Sequence, residues 1–237
     1  MCGRFTLSFK EKQLLADKLG IPVEELDELD LPRFNIAPTD KHVIVRLQRE
    51  DHHAAIAKWG LVNTWAKDAK RAAAQINARS ETLQKTPAFR DAFAKRRCVV
   101  PADGYYEWTG PKENRQPVWY HRGDGGLMLF AGLYESWHPT PDTWQRTFTI
   151  ITTDANDVTS PVHDRMPVIL PDEAVDEWLY RDEKDMDKLQ ALLKPAPNDL
   201  LVPKFVSQRV NSVRNDDASL LDEPTVGPPK PAQGTLL

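Results

Sequence analysis

The chain starts Met-Cys-Gly-Arg-Phe, and its second residue poses a chemical question. If Met1 is removed, Cys2 presents an α-amine with pKa near 8 and a thiol with pKa about 8.5 on adjacent carbons. An aldehyde condenses with such an amine to an imine, and the neighbouring thiolate closes a five-membered thiazolidine ring. An internal cysteine cannot do this, because its nitrogen is an amide. If Met1 stays, Cys2 is an ordinary thiol near a terminus.

Four further segments carry polar groups out of keeping with their surroundings. "QINARSET" (75–82) offers Asn77, Arg79 and Glu81 with little amphipathic pattern. "ADGYYEWT" (102–109) sets Glu107 between Tyr106 and Trp108, and a carboxyl group among aromatics is a candidate for a raised pKa. Strand alternation equally allows Glu107 to face solvent. "SPVHDRMP" (160–167) groups His163, Asp164 and Arg165 between prolines, a pattern that also suits a structural loop. "WGLVNTW" (59–65) holds two tryptophans: Trp59 is expected in a hairpin core, and Trp65, beside Asn63 and Thr64, is a candidate stacking platform. No metal site is expected. His52 and His53 lie in a turn without a third ligand, the two cysteines have no paired spacing, and no phosphate-binding glycine loop is present. No cofactor is implied.

The elements that must hold these residues read as an α+β domain around a mostly antiparallel sheet. Residues 8–20 predict a helix with Ser8 and Glu11 at capping-box spacing and Gly20 as its stop. Residues 42–48 and 54–60 predict a hairpin, and 86–97 a helix with Thr86 as cap and Pro87 at its first position. Strands are expected over 98–108, 117–122, 127–137 and 147–153, with "GDGG" (123–126) as the hairpin turn between the second and third. Helices over 172–179 and 184–194 and a last strand over 204–210 follow. Residues 1–221 read as one domain. The Pro/Gly-rich stretch 222–237 has little to bury and is expected to be disordered.

Composition narrows the function classes. The 237 residues suffice for a sizeable core, with 41% hydrophobic and 28% charged residues. No apolar run approaches the roughly 20 residues of a membrane span, and no signal peptide is visible. Two cysteines make no disulfide framework, which suits a reducing compartment. The net charge is -4, yet residues 67–97 carry nine Lys or Arg against three acids. That stretch is either a solvated helix face or a nucleic-acid contact.

Taken in order, "MCGRF", "RFNIAP" (33–38), "WGL" (59–61), "NARSET" (77–82), "RRCVVPADGYYEW" (96–108), "TTDAN" (152–156) and "HDRMPVIL" (163–170) resemble the SRAP family of abasic-site processing proteins. The resemblance runs from Cys2 to about residue 215. It implies a single domain with a curved, barrel-like sheet and a basic groove. It implies binding of single-stranded DNA containing an abasic site, and a thiazolidine cross-link through the terminal cysteine that shields the lesion. The family's cysteine falls on Cys2, its asparagine on Asn77, its acid/base glutamate on Glu107 and its histidine on His163. Its DNA-backbone arginines fall on Arg4, Arg79 and Arg165. Where family members often have a proline-glycine pair before the stacking tryptophans, this chain reads "VNTW". The resemblance also implies self-removal of the residue ahead of Cys2, with Glu107 the group to suspect. A monomer is expected, in the cytoplasm of a bacterium or the nucleus of a eukaryote.

Two rival classes remain at this stage. One is an amidohydrolase or glutaminase with an N-terminal cysteine nucleophile, although Asn77 is followed by alanine rather than the glycine usual in those oxyanion sites. The other is a non-covalent single-strand binding module whose Cys2 is never unmasked.

Overall fold

The computed structural model describes residues 2–140 and 142–224. Most of the tail expected to be disordered, and Met1, lie outside the described residues. The expected α+β architecture is found, with strands predominating. In chain order they begin with β1 (Phe5–Leu7), β2 (Arg33–Ile36), β3 (Lys41–Gln48), β4 (Asp51–Trp59) and β5 (Asn77–Arg79). There follow β6 (Arg97–Ala102), β7 (Gly104–Thr109), β8 (Gln116–Arg122), β9 (Met128–Thr140) and β10 (Thr143–Asp154). The series ends with β11 (Arg165–Pro167), β12 (Ile169–Leu170) and β13 (Leu201–Phe205). The helices are α1 (Lys12–Leu19), α2 (Pro87–Lys95), α3 (Val175–Leu179) and α4 (Met186–Ala191).

Long β10 organises the molecule. It pairs with β4, and β4, β3, β6 and β9 follow by hydrogen bonding until β9 returns to β10, closing a five-stranded barrel. Closure removes the exposed edges that an open sheet would leave. Side chains of alternate residues fill the interior: Trp59 stacks on Phe148 with ring centroids 6.2 Å apart. A second sheet, in the order β13-β8-β7-β1-β2, lies against this barrel. Its β1 drives Phe5 into the aromatic cluster, 4.8 Å from His42 and 5.0 Å from Trp59. Full burial of one phenylalanine is worth about 1.5–3 kcal/mol, so Phe5 anchors the strand that begins three residues after Cys2.

Segment 206–221 straps across the outer face of the second sheet. Val206, Val210 and Leu220 bury Phe34 and Tyr106. Asp216 accepts the backbone N–H of Phe34 at 2.5 Å and of Asn35 at 3.0 Å. Asn35 donates to the carbonyls of Val210, Ser212 and Asn215.

Several expectations are corrected. Ser8 caps nothing: its N–H and hydroxyl both reach Asp103 Oδ2 at 2.6 Å, and α1 begins after an extended Glu11 with no side-chain cap. The expected strand 98–108 breaks at Asp103, where the chain leaves the barrel as β6 and enters the second sheet as β7. Gly104 suits this corner because a Cβ there would sit 1.9 Å from Trp119 Nε1. "GDGG" closes no hairpin, since β8 pairs with β7 and β13 whereas β9 pairs with β6, β10 and β12. The last strand lies at Leu201–Phe205, and Gln208–Asn211 is a short 3-10 turn.

The basic stretch is also divided. Arg97 is buried, and its guanidinium donates to the carbonyls of Phe93, Ala94, Trp178 and Tyr180, tying the ends of α2 and α3 together. Arg96 pairs with Glu135 at 2.7 Å. Lys67, Lys70, Arg71, Arg79, Lys85, Arg90 and Lys95 remain exposed.

Candidate active site

Cys2 is fully buried where the second sheet meets the barrel. Three constraints place it. Phe5 is seated in the barrel, Arg4 O accepts the Tyr106 N–H at 3.0 Å, and Asn77 Nδ2 donates to Cys2 O at 2.9 Å. Asn77 reaches this position because β5 adds in parallel to β10, with Asn77 opposite Ile150 and Arg79 opposite Thr152.

Alternation along β7 decides the side of Glu107. Tyr106 and Trp108 face the strap, so Tyr105 and Glu107 face the opposite way, toward Cys2. Glu107 is only 5% exposed. Burial raises its pKa, against the opposing pull of His163. The Cys2 thiol is pushed up by burial first and by Glu107 second. In the resting protein the pair is therefore a neutral thiol beside a carboxyl group that protonates more readily than usual.

His163 lies in the turn between β10 and β11. Its Nδ1 lies 3.0 Å from the Arg165 backbone nitrogen and 2.9 Å from Asp164 Oδ1, so it faces both a donor and an acceptor.

Two tyrosines that the sequence did not single out complete the floor. Tyr105 and Tyr120 oppose each other across β7 and β8 and stack with centroids 5.2 Å apart. Burial raises both phenols, Tyr120 to about 12, with Glu107 adding to each. Their hydroxyls, Asn77 Oδ1 and Thr152 Oγ1 are buried with no hydrogen-bond partner among the described residues. Buried polar atoms left unsatisfied are costly. The i, i+2 relation of Tyr105 to Glu107 was the signal available in the sequence.

The structure thus gathers Cys2, Asn77, Glu107 and His163. Arg79 continues the strand of Asn77 and is exposed. Arg4 is half-buried: it donates to Asn35 Oδ1 at 2.9 Å and Val210 O at 3.1 Å, and lies 5.8 Å over the Trp108 ring. Beside it opens a cleft of about 650 Å³ lined by Gly3, Trp108, Lys112 and Arg115. Trp65 stands apart on the loop after β4, 68% exposed, at a hollow of about 420 Å³ with Lys67, Lys70 and Arg71. Arg165 differs from the expected phosphate contact. It is 5% exposed and engages Glu81 at 2.8 and 2.9 Å, Asp154 at 2.7 Å and Thr152 O at 2.7 Å. Its inward contacts make it a strut under His163. Among the described residues, no group of three or more His, Cys, Asp or Glu could hold a metal ion, and no helix is long and apolar enough to cross a membrane.

Comparison with known proteins places this geometry in context. The family model described as SOS response associated peptidase (SRAP) matches residues 1–213. The abasic site processing protein YoqW of Bacillus subtilis is 39% identical over 225 residues, covering 94% of this chain and 99% of the relative. The abasic site processing protein YedK of Escherichia coli is 30% identical over 230 residues, covering 93% and 99%. A crystal structure of a Bacteroides thetaiotaomicron protein superposes with a TM-score of 0.82 at 25% identity, covering 94% of this chain and 99% of that one.

Proposed function

The chain belongs to the SOS response associated peptidase (SRAP) family, and from that premise we propose that it processes abasic sites in single-stranded DNA by linking itself to them. The observation that carries this reading is the burial of Cys2 beside Glu107, with Asn77 holding its carbonyl and His163 acting on Glu107.

An abasic sugar rests mainly as a closed hemiacetal. His163, in its protonated form, gives a proton to the ring oxygen and then, as the neutral ring, takes the C1′ hydroxyl proton, so the bond from C1′ to the ring oxygen breaks and the C1′ aldehyde is released. The α-amine of Cys2, unmasked by loss of Met1, attacks C1′ to give a carbinolamine. Glu107 in its acid form protonates the departing hydroxyl; water leaves and an imine forms. The Glu107 carboxylate then takes the thiol proton, Sγ adds to C1′, and the proton ends on the ring nitrogen. The new ring contains N, Cα, Cβ, Sγ and C1′. No oxidant or cofactor enters the balance. Asn77 fixes the terminal residue through its carbonyl, and its unpaired Oδ1, with the Tyr105 and Tyr120 hydroxyls, is available to the sugar. Arg79 and Arg4 contact flanking phosphates, and Trp65 stacks on a nearby base. Because the lesion carries no base, its exposure costs less than flipping an intact nucleotide. Glu107 also assists removal of Met1.

The test is intact-mass spectrometry of the protein before and after incubation with an oligonucleotide carrying one abasic site. Loss of Met1 and a one-to-one adduct, absent with undamaged DNA and absent in Cys2→Ala, is the expected result. Retained Met1, no adduct, or an adduct that persists in Cys2→Ala would refute the mechanism. Met1 retained in Glu107→Gln alone would assign its removal to the protein itself.

A further inference from the structure

The barrel has a second end, away from Cys2. On β3, Arg46 lies on the face of Ile44 and His42; on β10, Arg146 lies on the face of Phe148; on β9, Tyr134 lies on the face of Phe130. His42, Phe148 and Phe130 belong to the aromatic cluster inside the barrel. Arg46, Arg146 and Tyr134 therefore share the interior face at that end. Six residues of β10 separate Arg146 from Thr152, the partner of Arg79, which is about 20 Å of strand.

At that end lies a cavity of about 450 Å³ lined by Arg46, Arg49, Lys95, Tyr134, Tyr180 and Arg181, with Asp182 as the acid at its wall. Arg97 also borders it, but its donors are spent on backbone carbonyls. The other cations have no such partners. Arg46 Nε is buried without a hydrogen bond, and none of Arg46, Arg49, Lys95, Arg146 and Arg181 is in an ion pair among the described residues. Burial and the nearby charge of Arg46 both depress the Arg146 guanidinium, so the two like charges are close enough to repel.

A cavity lined by Arg46, Arg49, Lys95 and Arg181 without ion-pair partners, with Arg146 close to Arg46, favours an anion. Guanidinium groups match phosphate oxygens in fork geometry. The cavity volume falls in the range of small-ligand pockets, roughly 300–1,000 Å³, and barrel mouths are common places for them. The geometry points to a second anion site at the end of the barrel remote from Cys2, taking a small, multiply charged phosphate anion of the pyrophosphate class. It is distinct from the clefts at Arg4 and Trp65, and it does not depend on the proposed DNA chemistry.

Isothermal titration of the full-length protein with sodium pyrophosphate, at ionic strength fixed with sodium chloride, tests the site. Saturable one-to-one binding is expected. It should weaken about tenfold or more in Arg46→Gln and in Arg181→Gln, each of which removes charge-assisted hydrogen bonds. Arg181 is exposed, so its variant remains informative if Arg46→Gln fails to fold. Heats no greater than those of added chloride would overturn the proposal. So would binding that survives both variants but is lost in Arg79→Gln, because the anion would then occupy the DNA-facing site.

Discussion

Asp103→Ala should unfasten β1, the strand that follows Cys2. Asp103 is 8% exposed and its two oxygens receive three donors: Thr6 Oγ1 at 2.5 Å, and the Ser8 N–H and hydroxyl at 2.6 Å each. Hydrogen bonds to a charged group are worth about 1.5–3 kcal/mol apiece. The loss is less than their sum. Ser8 is partly open to water, and Thr6 Oγ1 retains the Gly104 carbonyl at 3.3 Å and the Trp119 indole N–H at 3.2 Å. A destabilisation of about 2–4 kcal/mol is expected, a large share of the roughly 5–15 kcal/mol that holds a domain together. Urea denaturation measures it as a lower midpoint at unchanged m-value. Because β1 fixes Cys2 through Arg4 and Phe5, the rate of adduct formation should fall in the same variant under conditions where it remains folded. A change below about 1 kcal/mol, with an unaltered adduct rate, would refute the claim that this carboxylate fastens β1 to the β6–β7 corner.

The remaining predictions concern the site and its supports. Glu107→Gln should slow both linkage and its reversal, and it should change the pH dependence of stability. Burial raises the folded-state pKa of Glu107, so the folded protein binds this proton more tightly than the unfolded chain, and wild-type stability falls as pH rises from the unfolded value near 4.3 through the folded one. The stability gained by Glu107→Gln should therefore grow as pH rises above about 4.3 and through the raised folded-state value; parallel pH profiles for the two proteins would contradict it. Arg79→Gln should weaken binding to any single strand and lower the log–log salt slope by about 0.7, whereas an unchanged slope would remove Arg79 from the phosphate contacts. Arg165→Gln should cost about 1.5–3 kcal/mol in chemical denaturation, because it removes a charge-assisted hydrogen bond to the buried Thr152 carbonyl, whereas the exposed Glu81 and Asp154 carboxylates return to water, and Arg165→Lys should not restore the two-pronged contact with Glu81. A loss under about 1 kcal/mol in Arg165→Gln would mean that the group is not a strut.

Local chemistry made much of this legible in the sequence, and long-range pairing supplied the rest. Helix α2, with Pro87 at its start, and the β3–β4 hairpin depend on neighbouring residues and were readable. The barrel was legible only through the family resemblance. It is closed by β10 pairing in parallel with β4, about ninety residues earlier, and no local period records such a contact. Ser8 was misread because a serine three residues before a glutamate fits a capping box, whereas a buried carboxylate 95 residues away competes for both of its donors. Glu107 was ambiguous from alternation alone; the strap over Tyr106 and Trp108 decided which face of β7 is the inner one. Arg97 was counted with the cations of the basic stretch and Arg165 took a DNA-backbone role from the resemblance, because a sequence does not show which guanidinium groups are spent on carbonyls and carboxylates.

The strap has a consequence for when the amino-terminal residues reach their final places during synthesis. Arg4 donates to the carbonyl of Val210, 206 residues further along the chain, and Asp216 grips β2 from the same segment. A ribosome delivers the amino terminus first, at roughly 5–20 residues per second, so Cys2 emerges long before its support is translated. Only after the strap has left the exit tunnel can Arg4 and β2 take up their final positions. A polypeptide that ends before Val210 would carry Cys2 without the contacts that hold Arg4 and β2 in place. The final placement of the first residues is thereby tied to translation of the strap.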